Sequence, residues 1–336
     1  MREVSSMSPT PIHLSKETEE LRRALHGRGE VLEPHEAEEP ILASVVRGAM
    51  FGWLAELNAR EELSAVGIKP RASALLSGPP GCGKTTLAHH LAARLGVPMV
   101  NVGAEHIIES ARGGSEKNVA HLFNAIEDFG KPCILFLDEI DSIGGKRKDT
   151  SGDRGGAVTA GNSTLTVLLR KVETFNGILV AATNRADTLD QALWRRFGMQ
   201  IEVALPDDDA RWAILKRYGE PFLFDDDLLD CLIELTGGAA PSLLRQLMEG
   251  VKRLLVLGER IRQPAISAAA AFGAIAAQTR PHPDYEPPPL WSQTGKALEE
   301  ITRAAKGQWP PARKENPWQG QNQRTPTRRP PDGNQG

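Results

Sequence analysis

The sequence predicts an α/β fold: a parallel sheet sandwiched by helices, followed by a small all-helical lid subdomain. Three observations predict it. Between residues 68 and 205 short apolar runs alternate with helical periodicities, the pattern of a parallel sheet covered on both faces. One strand-to-helix junction there is Gly78-Pro79-Pro80-Gly81-Cys82-Gly83-Lys84-Thr85-Thr86, which fits G-x-x-x-x-G-K-[ST] at every constrained position and makes this a P-loop sheet. From 206 to 277 the strand pattern is lost and only helical spacing remains.

Residues 1–39 are polar and partly acidic, and read as a flexible segment with one short helix near Leu14–Leu25. Pro40 suits the first position of the next helix. Its apolar residues Leu42, Val45, Val46, Ala49, Met50, Trp53, Leu54 and Leu57 keep helical spacing with one broad buried face. Gly48 and Gly52, one turn apart, lower helix propensity and would permit close packing. The expected strands are Ala72–Ser77, Pro98–Val102, Cys133–Asp138, Ile178–Thr183 and Gln200–Leu205. The run from Thr86 to Leu95 reads as a helix closed by Gly96 and Pro98.

Beyond 206, Asp207–Asp209 and Asp225–Asp227 each precede an apolar-periodic run, as helix caps do. Pro241-Ser242 opens a third run and Pro264 a fourth. Residues 280–336 hold 11 of the 24 prolines, so the segment 279–336 reads as a Pro-rich, disordered tail with one helical island over Gly295–Ala305.

The net charge of −3 gives no bulk electrostatic case for a nucleic-acid or membrane partner. The longest apolar run, Ala265–Ala277, is too short to span a bilayer. Three cysteines, Cys82, Cys133 and Cys231, are odd in number and far apart, which fits a cytoplasmic location and no disulfide framework.

The chemistry gathers at strand ends. Glycines let the N–H groups of Gly78–Thr86 turn inward around a phosphate; Lys84 would reach the β and γ phosphates, and the Thr85 hydroxyl would sit on Mg²⁺. The ligand is then ATP with Mg²⁺. An apolar strand ends at Asp138 and Glu139; the first suits the metal and the second suits attacking water as a base, while Asp141 reads as structural. Asn184 ends another apolar strand, where an amide can bond a water at the γ-phosphate or simply make a turn. Arg195 and Arg196 follow Trp194; alone they read as surface groups, yet phosphoryl transfer uses such charges.

Together, the runs Gly78–Thr86, Leu135–Asp141, Ala182–Arg185 and Leu189–Phe197 resemble the AAA family of ring ATPases, in order and approximate spacing. The resemblance covers roughly 41–277. It implies that Gly78–Thr86 is the Walker A loop, that Asp138 and Glu139 are the Walker B pair, and that Asn184 is sensor 1. It implies that Arg195 or Arg196 is an arginine finger serving the ATP of a neighbouring subunit in a homo-oligomeric, hexameric ring. The finger segment is shorter than the family's Arg-Pro-Gly-Arg form, so both arginines stay candidates. The domains expected are a flexible segment at 1–39, an ATPase domain at 40–205, a helical lid at 206–278 and the tail at 279–336.

Family members that thread proteins carry an aromatic residue just before a Ser-Glu-Lys-Asn-like stretch. Here Ala111-Arg112-Gly113-Gly114 precedes Ser115–Asn118, so no aromatic stands there. The sensor 2 position falls near Leu243, with Arg245 as a candidate. The loop Gly144–Gly156 would offer Lys146, Arg147, Lys148 and Arg154 to a central channel. The leading expectation is an ATPase that remodels or disassembles a protein or protein complex, with a protein substrate or adaptor and no membrane partner. The alternatives are a nucleic-acid-associated motor or loader, and an ATP-dependent scaffold or switch of low turnover.

Overall fold

The structure, a computed structural model, describes residues 16–109, 113–145, 155–260, 266–305 and 309–314. The chain divides into two compact units. Met1–Arg211 with Gly238–Leu243 form the first, and Trp212–Gly237 with Leu244–Gly336 the second.

The first unit opens with α1 (Lys16–Leu25), β1 (Glu30–Leu32), α2 (Ser44–Asn58), α3 (Arg60–Ala65), β2 (Ser73–Ser77) and α4 (Lys84–Leu95). There follow β3 (Met99–Val102), α5 (Gly114–Phe129), β4 (Ile134–Leu137), α6 (Asp141–Gly144), α7 (Gly155–Thr174), β5 (Ile178–Thr183), α8 (Gln191–Trp194) and β6 (Met199–Glu202). The sheet order is β1-β3-β4-β5-β2-β6. All pairings are parallel except that of β1 with β3. Alternation along each strand builds two cores. Leu75, Leu135, Leu137, Leu179 and Ala181 join α1, α5 and α7 residues on one face. Ala74, Leu76, Ile134, Phe136, Val180 and Ala182 join α2 and α4 residues on the other. Strands buried on both sides read as apolar runs, which is why β2, β3, β4 and β5 are legible in the sequence, whereas the edge strand β6 buries only Ile201 and lies at Met199–Glu202 rather than at the expected Gln200–Leu205.

Three expectations for the early chain need correction. From Lys16 onward the described part of 1–39 is ordered: α1 buries Thr18, Leu21 and Leu25, and β1 adds an antiparallel edge. A three-residue strand with only Val31 buried carries no periodic signal. The second helix starts at Ser44 rather than at Pro40, and its buried face narrows to Val46, Met50 and Trp53, leaving Val45 81% exposed. Nothing lies within 4 Å of a Cβ built at Gly48 or Gly52, so these glycines admit no close neighbour.

The second unit contains most of α9 (Asp208–Gly219), then β7 (Phe222–Leu223), α10 (Asp226–Leu235), α11 (Pro241–Arg260), α12 (Ala268–Gln278), α13 (Pro289–Ser292), α14 (Thr294–Ala304) and β8 (Ala312–Arg313). The first residues of α11 group with the first unit. Asp207 Oδ1 caps α9 by accepting from the Ala210 N–H at 2.9 Å. Helix α12 begins at Ala268 behind the Ser267 cap; Pro264 lies outside the described residues.

The tail departs from its composition. Residues 279–305 and 309–314 are ordered: Leu290, Ala297 and Ile301 are buried, and the Trp291 indole N–H donates to Thr279 O at 2.6 Å. Phe272 and Trp309 pack with ring centroids 6.2 Å apart, and β8 pairs with β7, adding a two-residue ribbon to the otherwise helical unit. The helical island expected over Gly295–Ala305 is α14, and it is the order of the residues around it that composition averaged over the whole tail hides. Residues 315–336 lie outside the described residues. Among the described residues no helix is long and apolar enough to cross a membrane.

Candidate active site

The loop between β2 and α4 has its shape because glycine stands where other residues would not fit. Gly78 has φ +149°, and a Cβ there would collide with the Val203 carbonyl. Gly81 has φ +77°, and a Cβ there would run into the Ser242 hydroxyl; the Ser242 N–H donates to Gly81 O at 3.2 Å. Gly83 caps α4 in the left-handed region, so the first N–H groups of α4 are left to face an anion. Pro79, Pro80 and Thr86 complete the loop and the first turn of α4.

Lys84 is 7% exposed. Its ammonium donates to Gly78 O at 2.8 Å, Pro79 O at 2.9 Å and Asn184 Oδ1 at 2.6 Å. Burial lowers its pKa from the usual lysine value, partly opposed by Cys82, Asp138 and Asp141. The Cys82 thiol is buried, and burial raises its pKa while Lys84 pulls it down. The Thr85 hydroxyl donates to Asp138 Oδ2 at 3.1 Å. A hydroxyl and a carboxylate oxygen that close suit a hard, oxygen-seeking cation, so these two residues fit Mg²⁺.

Three parallel strands bring these groups together. Strand β2 delivers the loop, β4 ends one residue before Asp138, and β5 ends one residue before Asn184. The order β4-β5-β2 makes them neighbours, with Leu137 opposite Ala181 and Ser77 opposite Thr183. Glu139 is exposed and in the left-handed region at φ +49°. Its N–H donates to Asp138 Oδ1 at 2.9 Å.

The arginine segment behaves differently. Asp190 caps α8, accepting from Ala192 N–H at 2.8 Å. Arg196 donates to Ala192 O at 2.9 Å and pairs with Glu173 at 3.4 Å. Arg195 is exposed, and its guanidinium has no hydrogen-bond or ion-pair partner among the described residues. Arg245, in the second unit, pairs with Glu249 at 2.8 Å and lies over the Tyr218 ring. Residues 110–112 and 146–154 lie outside the described residues, so the missing pore aromatic and the basic loop stay expectations from sequence.

Sequence reasoning missed two contributors. Ser242 reaches the glycine loop from more than 150 residues away, and no local pattern announces it. Thr183 bonds Asp141, for which the residue types at adjacent strand tips were the only available hint.

The profile of the ATPase family associated with various cellular activities (AAA) matches residues 74–205. The chain is 37% identical over 215 residues to "ATP-dependent zinc metalloprotease FTSH 2, chloroplastic" of Oryza sativa subsp. japonica, covering 62% of this chain and 31% of that protein. It is 34% identical over 209 residues to "Probable 26S proteasome regulatory subunit 10B" of Caenorhabditis elegans, covering 60% of this chain and 50% of that one. The chain thus spans between about a third and a half of these relatives' length. The crystal structure of the FIGL-1 AAA domain superposes with a TM-score of 0.61 at 21% identity, over 90% of this chain and 98% of that one, which is a likeness of fold. The α/β architecture, the loop at Gly78–Thr86 and the matched profile agree: over residues 74–205 the chain is similar to the AAA family of ATPases.

Proposed function

We propose that the chain binds ATP with Mg²⁺, hydrolyses it, and works as a cytoplasmic homo-oligomeric ring, hexameric in the simplest form, that remodels or disassembles a protein or protein complex. The observation that carries the reading is the convergence on Lys84. One ammonium holds two loop carbonyls and Asn184, beside the Thr85–Asp138 pair, so elements of β2, β4 and β5 meet at one point. The three free cysteines support the location, and the relatives' printed names support the protein-directed role.

The residues divide the work. The loop N–H groups and the α4 N-terminus would bind phosphate oxygens, and Lys84 would leave the Gly78 and Pro79 carbonyls for the β and γ phosphates. Thr85 and Asp138 would hold Mg²⁺, which would supply charge neutralisation for the transferred phosphoryl group. Glu139 would take the proton of the attacking water, and Asn184 would orient that water. Arg195 or Arg196 would serve the next subunit's nucleotide, which makes assembly a condition for turnover.

Glu139→Gln tests this. It should bind ATP, accumulate as rings on size-exclusion chromatography with light scattering, and lose hydrolysis by about a hundredfold or more. Wild-type turnover in that variant would sink the assignment. Of the rival readings, a nucleic-acid loader would show salt-sensitive stimulation of hydrolysis by DNA or RNA.

A further inference from the structure

We propose that Thr183 and Asp141 are positioning residues for hydrolysis, a latch between two strand tips that fixes Glu139 relative to Asn184. The proposal rests on the reading of Glu139 and Asn184 given above. Thr183 is the last residue of β5, is 1% exposed, and immediately precedes Asn184. Its hydroxyl donates to Asp141 Oδ1 at 2.6 Å and accepts from the Arg185 N–H at 2.9 Å. The second bond is an ordinary local turn contact. The first crosses 42 residues of sequence to the turn after β4.

A second bond runs beside it, from the Ile140 N–H to Ala182 O at 3.0 Å. Two consecutive residues after Glu139 are therefore tied to two consecutive residues before Asn184. The tie matters because Glu139 sits at φ +49°, unfavourable for any residue but glycine and kept only where the surroundings hold it. Inside the turn, Glu139 N–H bonds Asp138 Oδ1 and the Ser142 N–H bonds Glu139 O at 2.9 Å. Those bonds set the shape of the turn. The Asp138 N–H bond to Val102 O and the Asp190 N–H bond to Gly144 O, both at 2.9 Å, hold the two ends of the segment, and the ties to β5 join its middle directly to the residues before Asn184.

Neither Thr183 nor Asp141 bonds the loop, since the Lys84 ammonium meets Gly78 O, Pro79 O and Asn184. Loosening the latch should therefore spare nucleotide binding and slow the chemical step. A misplacement of about 1 Å costs up to about a hundredfold in rate.

The test compares Thr183→Val, Thr183→Ser, Asp141→Ala, Asp141→Asn and Glu139→Gln in the full chain, at protein concentrations where specific activity has levelled off. The readouts are kcat for ATP and the Kd of a fluorescent N-methylanthraniloyl ATP. Thr183→Val and Asp141→Ala should lower kcat by about tenfold or more, with Kd within about threefold of wild type. Thr183→Ser and Asp141→Asn, which keep a donor hydroxyl and an acceptor oxygen, should retain most of kcat. Asp141 is half-buried, so its variants remain informative where a core change at Thr183 impairs folding. The proposal is overturned if Thr183→Val and Asp141→Ala turn over like wild type. Loss by Thr183→Ser equal to that by Thr183→Val, or Kd weakening in step with kcat, would overturn it too. If Glu139→Gln is inactive while the latch variants are normal, the latch alone is wrong; if Glu139→Gln is active, the site reading itself has failed.

Discussion

The glycine loop and the arginine segment lie in the same unit and face opposite situations. In the loop the side chains have partners within the chain: Lys84 makes three hydrogen bonds, Thr85 meets Asp138, and Ser242 braces Gly81. In the arginine segment one guanidinium is tied down and the other is not. Arg196 holds Ala192 O and Glu173, while Arg195 is exposed and unpaired among the described residues. The difference separates what a subunit builds for itself from what it holds out. It also ranks the two arginines, which the sequence leaves equal. Arg196 is tied within its own segment, and on the proposed ring reading Arg195 would be the one available to another subunit.

The largest effect should break this comparison cleanly if it is mistaken. Arg195→Ala should lower ATP turnover by about a thousandfold, in line with fingers supplied in trans, while Arg196→Ala should fall far less. Mixing Arg195→Ala with Lys84→Ala subunits should restore part of the activity, because one supplies an intact loop and the other an intact arginine. No recovery in mixed rings shown to form would place Arg195 outside the neighbour's site. A second, smaller effect concerns Arg196. Arg196→Ala should lower folding stability by about 1–3 kcal/mol in urea unfolding, through loss of its bonds to Ala192 O and Glu173, with Arg195→Ala close to neutral. Equal destabilisation by both would erase the distinction.

The smallest effect tests how closed the loop is. Burial raises the Cys82 pKa, so at a given pH less thiolate is present than in a free cysteine. At pH 8 iodoacetamide should label Cys82 in the folded chain at least about tenfold more slowly than in the unfolded chain, with peptide mass spectrometry reading the site. Comparable rates would show the loop opens readily.

The inner parallel strands were legible because they are buried on both faces, and β4 and β5 end in chemically distinctive residues. The positions of β2 to β5 and the grouping of Lys84, Asp138, Glu139 and Asn184 follow from that, while β6, with only Ile201 buried, is displaced from the expected Gln200–Leu205. The edge strand β1 and the ribbon β7–β8 were not legible, since two or three residues carry no period and their partners are distant in sequence. Helix α2 shows the limit of periodicity: Val45 and Val46 look alike in the pattern, but only Val46 meets the sheet. The latch between Thr183 and Asp141 was illegible for another reason. Threonine at a strand end and aspartate in a turn are both ordinary, and only the register of β4 on β5 makes them a pair.

The register of β5 on its other neighbour, β2, also limits how the chain can vary. Ser77 faces Thr183 and Leu76 faces Ala182 across β2 and β5. Successive side chains point to opposite faces, so inserting or deleting one residue within β5 would act as a frameshift in space. Thr183 would leave its buried place, Asn184 would turn toward the core, and every apolar residue behind them would change sides. The strand is therefore a ruler of fixed length with the site at its last graduation. Substitution can tune this site in small steps, while changes of length are confined to the loops beyond it.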